Sequence, residues 1–183
     1  MSDVQLRRVA SARLTGDEAS AIRALLDVAF GGDEDDRFDD TDWAHALGGV
    51  HVLLEAGGVI LAHASVVERE IHVASRALRT GYVEAVATDP ARQQEGFGTR
   101  VMTEVGAIIA AEYEVGVLGT GVHHFYERLG WRRWRGPALV RMPQGDRRTP
   151  DEEGDIMVLT TPTTPTLTWT DPISCEWRPG DVW

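Results

Sequence analysis

Apolar residues fall into short continuous or alternating runs broken by glycine, with two longer stretches of helical period between them. Residues 4–9 read as a first strand. Thr15 with Glu18 three residues on is a capping-box signature. Ala21, Leu25, Leu26, Val28 and Ala29 then give an apolar face to a helix that stops near Phe30, at Gly31-Gly32. Residues 33–43, DEDDRFDDTDW, are too rich in one charge to pack, and Thr41 can cap a short helix running to Leu47. Residues 50–56 and 59–70 flank Gly57-Gly58 in a strand–turn–strand pattern, and ALRTGYVEAVAT extends it as a meander. Residues 115–120 read as a short strand and HHFYERLGW as a short helix closed by Gly130. PALVRM and DIMVLTT read as a last strand pair around the acidic PDEEGD turn.

The stretch from Gly81 to Thr99 organises the rest. Tyr82, Val83, Glu84, Ala85, Val86 and Ala87 form an apolar run holding one carboxylate, bounded by Gly81 and the Asp89-Pro90 breaker. That is the pattern of a largely buried strand. After it come Gly96-Phe97-Gly98 and a segment with Val101, Val105, Ile108 and Ile109 at helical spacing. Strand, glycine loop and helix place unpaired backbone N–H groups at the positive end of a helix dipole, which suits an anion. The Gly-x-x-x-x-Gly-Lys-Ser/Thr pattern is absent, which excludes a P-loop, and two glycines do not make the dinucleotide fingerprint.

At 183 residues and 20.1 kDa the chain suits a single domain spanning residues 1–183. The tail from about 162 to 183 is too rich in Pro and Thr for helix, but Trp169, Trp177 and Trp183 predict that it packs on the domain. No apolar run approaches the roughly 20 residues that span a bilayer, and the first residues lack a signal core, so a cytoplasmic chain with no membrane partner is expected. The net charge of −11 argues against nucleic acid and agrees with a cationic substrate. One cysteine, Cys175, allows no internal disulfide. The six histidines show no ligand spacing, and no metal is expected.

Gln93-x-x-Gly96-x-Gly98 after a strand resembles the pyrophosphate loop of the GCN5-related N-acetyltransferases (GNAT), which grips coenzyme A. AFGGD, TDWAHALGG, LRTGYVEAVA, FYERLGW, RTPDEEGD and the terminal WRPGDVW narrow the likeness: nearly the whole chain resembles the aminoglycoside 2′-N-acetyltransferases. The resemblance implies an α/β GNAT fold, a mixed and mostly antiparallel sheet whose parallel fourth and fifth strands splay apart, with flanking helices. It implies acetyl-CoA as co-substrate, a cationic aminoglycoside as acceptor, and a homodimer.

It also assigns residues. Glu84 is the general base acting through ordered water, as a carboxylate within an apolar strand would suit, though a solvent-reaching strand glutamate fits the pattern too. A backbone N–H near Val86, freed by a strand bulge, stabilises the oxyanion. Tyr126 is the general acid, or else a core tyrosine. Coenzyme A lies on Val86, Ala87 and Thr88 and on the loop of Arg92, Gln93, Gln94, Gly96, Phe97, Gly98 and Thr99. The acceptor meets Asp33, Asp42, Glu84, Ala85, Gly119, Glu152, Asp181 and Trp183, although Asp42 could equally serve the cap of its short helix. The sequence departs from the family in an enlarged acidic loop around EDDR and in Ala85, where the family has glycine. Kasugamycin or another small amine stays open as acceptor, and so does a non-catalytic binding module.

Overall fold

The computed structural model describes residues 3–32 and 37–183. They fall into two compact units. The first contains residues up to Val67 together with Val83–Val105; the second contains Glu68–Tyr82 and Gly106–Trp183.

In the first unit, β1 (Val4–Ala10) pairs antiparallel with β2 (Val50–Ala56), and β2 pairs antiparallel with β3 (Val59–Val73) across the Gly57-Gly58 turn. The helix α1 (Gly16–Phe30) begins as the capping box requires. Glu18 N–H donates to Thr15 Oγ1 at 3.2 Å, and Thr15 N–H donates to Glu18 Oε2 at 2.9 Å. That backbone N–H, followed by the Arg7 guanidinium, holds the Glu18 carboxyl down to about 2. Leu25, Leu26 and Ala29 face the core as expected, Ile22 joins them, and Ala21 and Val28 do not. Ile22, Leu25 and Leu26 are buried with Leu53, Ile60 and Ala87, while Ala21 is exposed and Val28 is 65% exposed. Each of these Leu or Ile side chains contributes about 1.5–3 kcal/mol by leaving water.

The short helix α2 (Asp40–Ala46) is capped by Asp39, not Thr41. Asp39 Oδ1 accepts from the Thr41 and Asp42 N–H groups at 2.7 and 3.0 Å. The chain then passes Gly49, where a Cβ would stand 1.9 Å from the Val66 carbonyl oxygen, so only glycine fits at that approach.

Strands β3 and β4 (Arg76–Thr88), neighbours in the strand order, each supply residues to both units. The helix α3 (Phe97–Glu112) buries Val101, Val105, Ile108 and Ile109, as its period predicts.

In the second unit, β5 (Val115–Gly119) is parallel to β4 over Thr80–Tyr82 and antiparallel to β9 (Ile156–Thr160). The helix α4 (His123–Glu127) follows β5. The two-residue strand β6 (Arg132–Arg133) pairs with β9. β7 (Ala138–Arg141) pairs with β8 (Arg147–Arg148) on one side and, in parallel, with β10 (Ile173–Glu176) on the other. β10 also pairs antiparallel with β3 through Ile173 and Ser174. The Pro- and Thr-rich tail therefore contains a sheet strand, with Ile173 and Cys175 buried. Trp183 is buried too, whereas Trp177 is 53% exposed and does not share that packing. Among the described residues no helix is long and apolar enough to cross a membrane.

Candidate active site

Glu84 is half-buried in β4, past the last residue that pairs with β5, Tyr82. The next residue, Ala85, has φ 52°. That left-handed value in a strand costs a non-glycine residue roughly 1–2 kcal/mol. Ala85 is held there by packing against the α1 core and by its carbonyl, which accepts a bond from His63 Nδ1 at 2.7 Å. Ser65 Oγ donates to the carbonyl of Glu84 at 3.4 Å. The kink thus falls one residue before Val86, where the sequence reading places a freed N–H. Val86 and Thr88 are half-buried and Ala87 is buried.

β4 runs into a 3-10 turn at Pro90–Arg92, whose N-cap is Asp89, and then into the glycine loop. Gln94 and Gly96 both have positive φ, 67° and 81°. A Cβ on Gly96 would touch nothing within 4 Å, so glycine is needed there for its backbone angle and not for space. The first intrahelical bond of α3 runs from Arg100 N–H to Gly96 O at 3.0 Å. The amides of Phe97, Gly98 and Thr99 precede it, with no carbonyl of the helix to reach. Gln93, Gln94 and Thr99 are exposed around this end. Arg92 lies over the Phe97 ring at 5.1 Å, and its guanidinium is bound to both oxygens of Glu95 at 2.6 and 2.8 Å. The backbone, with one tethered arginine beside it, makes an anion cradle at a helix N-terminus.

Asp42 occupies the third position of α2, where its Oδ2 accepts the Asp39 N–H at 2.9 Å. Its carboxylate therefore serves the cap. Asp33 lies outside the described residues.

The second unit gathers the remaining acidic candidates. Glu152 sits in a 3-10 turn at Pro150–Glu152. Burial, and then the charges of Asp181, Asp155 and Asp151, push its carboxyl above the usual range. The indole of Trp183 donates to Thr149 Oγ1 at 3.1 Å. A Cβ on Gly119 would stand 3.5 Å from the Trp183 carbonyl carbon and 3.8 Å from the Tyr82 hydroxyl. Gly119, Trp183, Glu152 and Asp181 thus belong to one acidic corner. Sequence reasoning missed its other members. Asp155 accepts from or pairs with His123 Nε2 at 2.9 Å. Tyr82 lies under two guanidinium groups, Arg69 at 4.5 Å and Arg178 at 5.5 Å. Nothing in the local sequence pairs Arg69 with a tyrosine 13 residues away; only the β3–β4 hairpin does.

Tyr126 is 8% exposed in α4, edge-on to the rings of Phe125 and Trp131 at 4.9 and 6.3 Å. Burial pushes its phenol up to about 12, so it keeps its proton at neutral pH. Burial also pushes the Cys175 thiol up to about 11, which leaves no thiolate nucleophile in the tail strand.

A carboxylate beside a strand kink, a glycine cradle opening a helix and a mixed α/β sheet define an acyl-transferase type of fold. The model of the acetyltransferase (GNAT) domain family matches residues 11–134. A GNAT family N-acetyltransferase, YhbS, from Escherichia coli in complex with CoA has a TM-score of 0.65 at 15% identity, covering 96% of this chain and 91% of that one. A GNAT family acetyltransferase from Brucella melitensis in complex with acetyl-CoA has a TM-score of 0.61 at 16% identity, covering 94% and 96%. The protein is a GNAT acetyltransferase. Within that class, an aminoglycoside 2′-N-acetyltransferase of Mycolicibacterium fortuitum is 38% identical over 181 residues, 97% of this chain and 91% of that one. The chain belongs to the aminoglycoside 2′-N-acetyltransferase family.

Proposed function

We propose that the protein transfers the acetyl group of acetyl-CoA directly to the 2′-amine of an aminoglycoside. The observation that carries this reading is Glu84 placed one residue before a left-handed kink, on a strand that feeds the glycine cradle; the 38% identical relative named for this reaction supplies the acceptor.

An ammonium group has no lone pair to attack with, so the amine must first lose a proton. Glu84 takes it through an ordered water. The neutral nitrogen attacks the thioester carbon, and the N–H of Val86 stabilises the oxyanion that forms. Collapse breaks the C–S bond while the Tyr126 phenol, protonated because it is buried, donates to the departing sulfur. The N–C bond formed replaces the C–S bond broken. The ammonium gives up two protons: one reaches Glu84 before attack and passes on to solvent, and the second leaves nitrogen as the intermediate collapses and replaces, through ordered water, the proton the Tyr126 phenol gives to the thiolate.

The backbone of Val86 and Thr88, with Ala87 between them, pairs with the pantetheine arm. The amides from Gln93 to Thr99 receive the pyrophosphate. On the acceptor side, Glu152 and Asp181 attract the ammonium groups, Trp183 and Gly119 shape the corner, and Ala85 and Asp42 border the acceptor. Each charge-assisted hydrogen bond there contributes about 1.5–3 kcal/mol. The tail completes this site, and two copies of the chain assemble as a homodimer.

The test is free-thiol release from acetyl-CoA with tobramycin, kanamycin B, kanamycin A and kasugamycin in separate reactions. Kanamycin A carries a 2′-hydroxyl where kanamycin B carries an amine. Turnover of tobramycin and kanamycin B without kanamycin A supports the proposal; turnover of kasugamycin alone, or silence on all four, rejects it.

A further inference from the structure

A chain of hydrogen bonds runs through the first unit without entering the chemistry above. Ser11 Oγ lies 2.9 Å from His51 Nε2, His51 Nδ1 lies 2.9 Å from His63 Nε2, and His63 Nδ1 lies 2.7 Å from the Ala85 carbonyl oxygen. Both imidazoles are 0% exposed, and their ring centroids are 5.2 Å apart. Register brings them together: His51 faces Ser65 across β2 and β3, which makes His63 its diagonal neighbour.

The direction of the chain follows from its ends. A carbonyl only accepts, so His63 carries its proton on Nδ1 and accepts at Nε2. His51 must then donate from Nδ1 and accept at Nε2. Ser11 Oγ already accepts the N–H groups of Gly48 and Gly49 at 3.0 and 3.2 Å. Its own proton goes to His51, because the competing Gly49 carbonyl is farther, at 3.2 Å, and already accepts the Ser11 N–H. Every link has one donor and one acceptor, and the chain ends on the one residue of β4 with positive φ.

We propose that Ser11, His51 and His63 are positioning residues that turn the Ala85 carbonyl inward, hold the left-handed kink of β4, and so aim Glu84 and the Val86 N–H. A glycine would adopt φ 52° without help; alanine needs a partner that rewards it. The His63 bond is that partner. This inference rests on the roles of Glu84 and Val86 proposed above, but the kink itself can be tested without them.

Two measurements decide it. Long-range 1H–15N spectra of the wild-type protein should show Nδ1–H tautomers at both His51 and His63; an Nε2–H tautomer at either overturns the chain. Backbone 13C shifts of Ala85, read with no substrate present, should report a left-handed residue in the wild type and in His63→Asn, whose amide nitrogen replaces Nδ1. They should report an extended residue in His63→Leu; an unmoved kink there overturns the proposal. In turnover of kanamycin B, counted per acetyl-CoA-binding site, His63→Leu should lose about ten-fold or more in kcat, with KM for the amine within about three-fold, and His63→Asn should recover most of the loss. Equal kcat per binding site in all three proteins would make the chain a purely structural feature and overturn it. A wild type silent on every aminoglycoside rejects the proposed reaction instead, and leaves the tautomers and the Ala85 shifts to decide this inference.

Discussion

The two units present opposite charges by opposite means. In the first, the anion cradle is backbone: positive φ at Gln94 and Gly96 and the leading amides of α3, with the nearby Arg92 charge already tied to Glu95. In the second, the acidic corner is side chains: Glu152, Asp155 and Asp181, drawn from the turn before β9 and from the end of the chain. A backbone cradle is fixed by glycine positions a few residues apart and serves any ligand with the same phosphate. A side-chain corner is assembled across about 30 residues of sequence and can be retuned one carboxylate at a time.

The comparison breaks most directly at Glu84, the proposed general base. Glu84→Gln should lower kcat by about 10²–10⁴-fold and leave KM for acetyl-CoA within about two-fold, as for removal of a general base. A pH–rate profile of the variant that keeps the acidic limb of the wild type would show that another group takes the proton.

What could be read from the sequence follows the same division. Gly96, Gly98, the strand before them and the period of α3 are local signals, and so is the Thr15–Glu18 capping box; the structure has each where the pattern puts it. Local signals fail where several residues compete for one role. DDTD offers three carboxylates and a threonine to start α2, and only the extended backbone at Asp39 selects the cap. They fail again where the residue type conceals the geometry. Ala85 gives no sign of positive φ, and the partner that holds it, His63, is 22 residues away. The strands β6 and β8 are Arg-Arg pairs with no apolar alternation and exist only because β9 and β7 lie beside them. The acidic corner follows only from the family resemblance, because no spacing along the chain relates Glu152 to Asp181.

Neutralising the corner should move the acceptor alone. Glu152→Gln or Asp181→Asn removes one charge-assisted bond and should raise KM for kanamycin B about ten-fold or more, with KM for acetyl-CoA unchanged. A pH dependence follows from the Glu152 carboxyl, held above its usual range by burial and by its acidic neighbours. A bound ammonium lowers it again, so KM for the amine should rise as pH falls through the free-enzyme value. Glu152→Gln should flatten that rise. An unchanged KM in both variants would remove the corner from the acceptor site.

The complementary change is Gly96→Val. Space is open at that position, so the whole effect comes from φ 81°, at roughly 1–2 kcal/mol for a residue with a side chain and more for a branched one. KM for acetyl-CoA should rise about ten-fold, with KM for the amine unmoved. Gly96→Asn, which tolerates left-handed angles, should fall between the variant and the wild type. If both parameters rise together, the loop does not act as a cradle for one ligand.

The last effect separates the units by acid. Burial holds His51 down to about 4 and, with His51 beside it, His63 down to about 3, so both rings are neutral when folded. Unfolded, each binds a proton below about 6.5. Their contribution to stability is therefore complete above that pH and is lost as pH falls toward 4 and then 3, at up to about 1.4 kcal/mol per pH unit for each ring. Glu18, held down to about 2, contributes in a lower window: its share is present above about 4.5 and disappears toward 2. Glu152 has the opposite sign, since its raised carboxyl weakens the folded state once ionised and that strain is relieved on acidification. Hydrogen exchange followed from pH 7.5 to 5 should show protection falling in β2 and β3 around His51 and His63 before it falls in β9. Glu18→Gln should leave this window unaltered, because its own lies below pH 4.5. Equal loss in both units over that range would mean that the histidine pair is not what makes the first unit acid-labile.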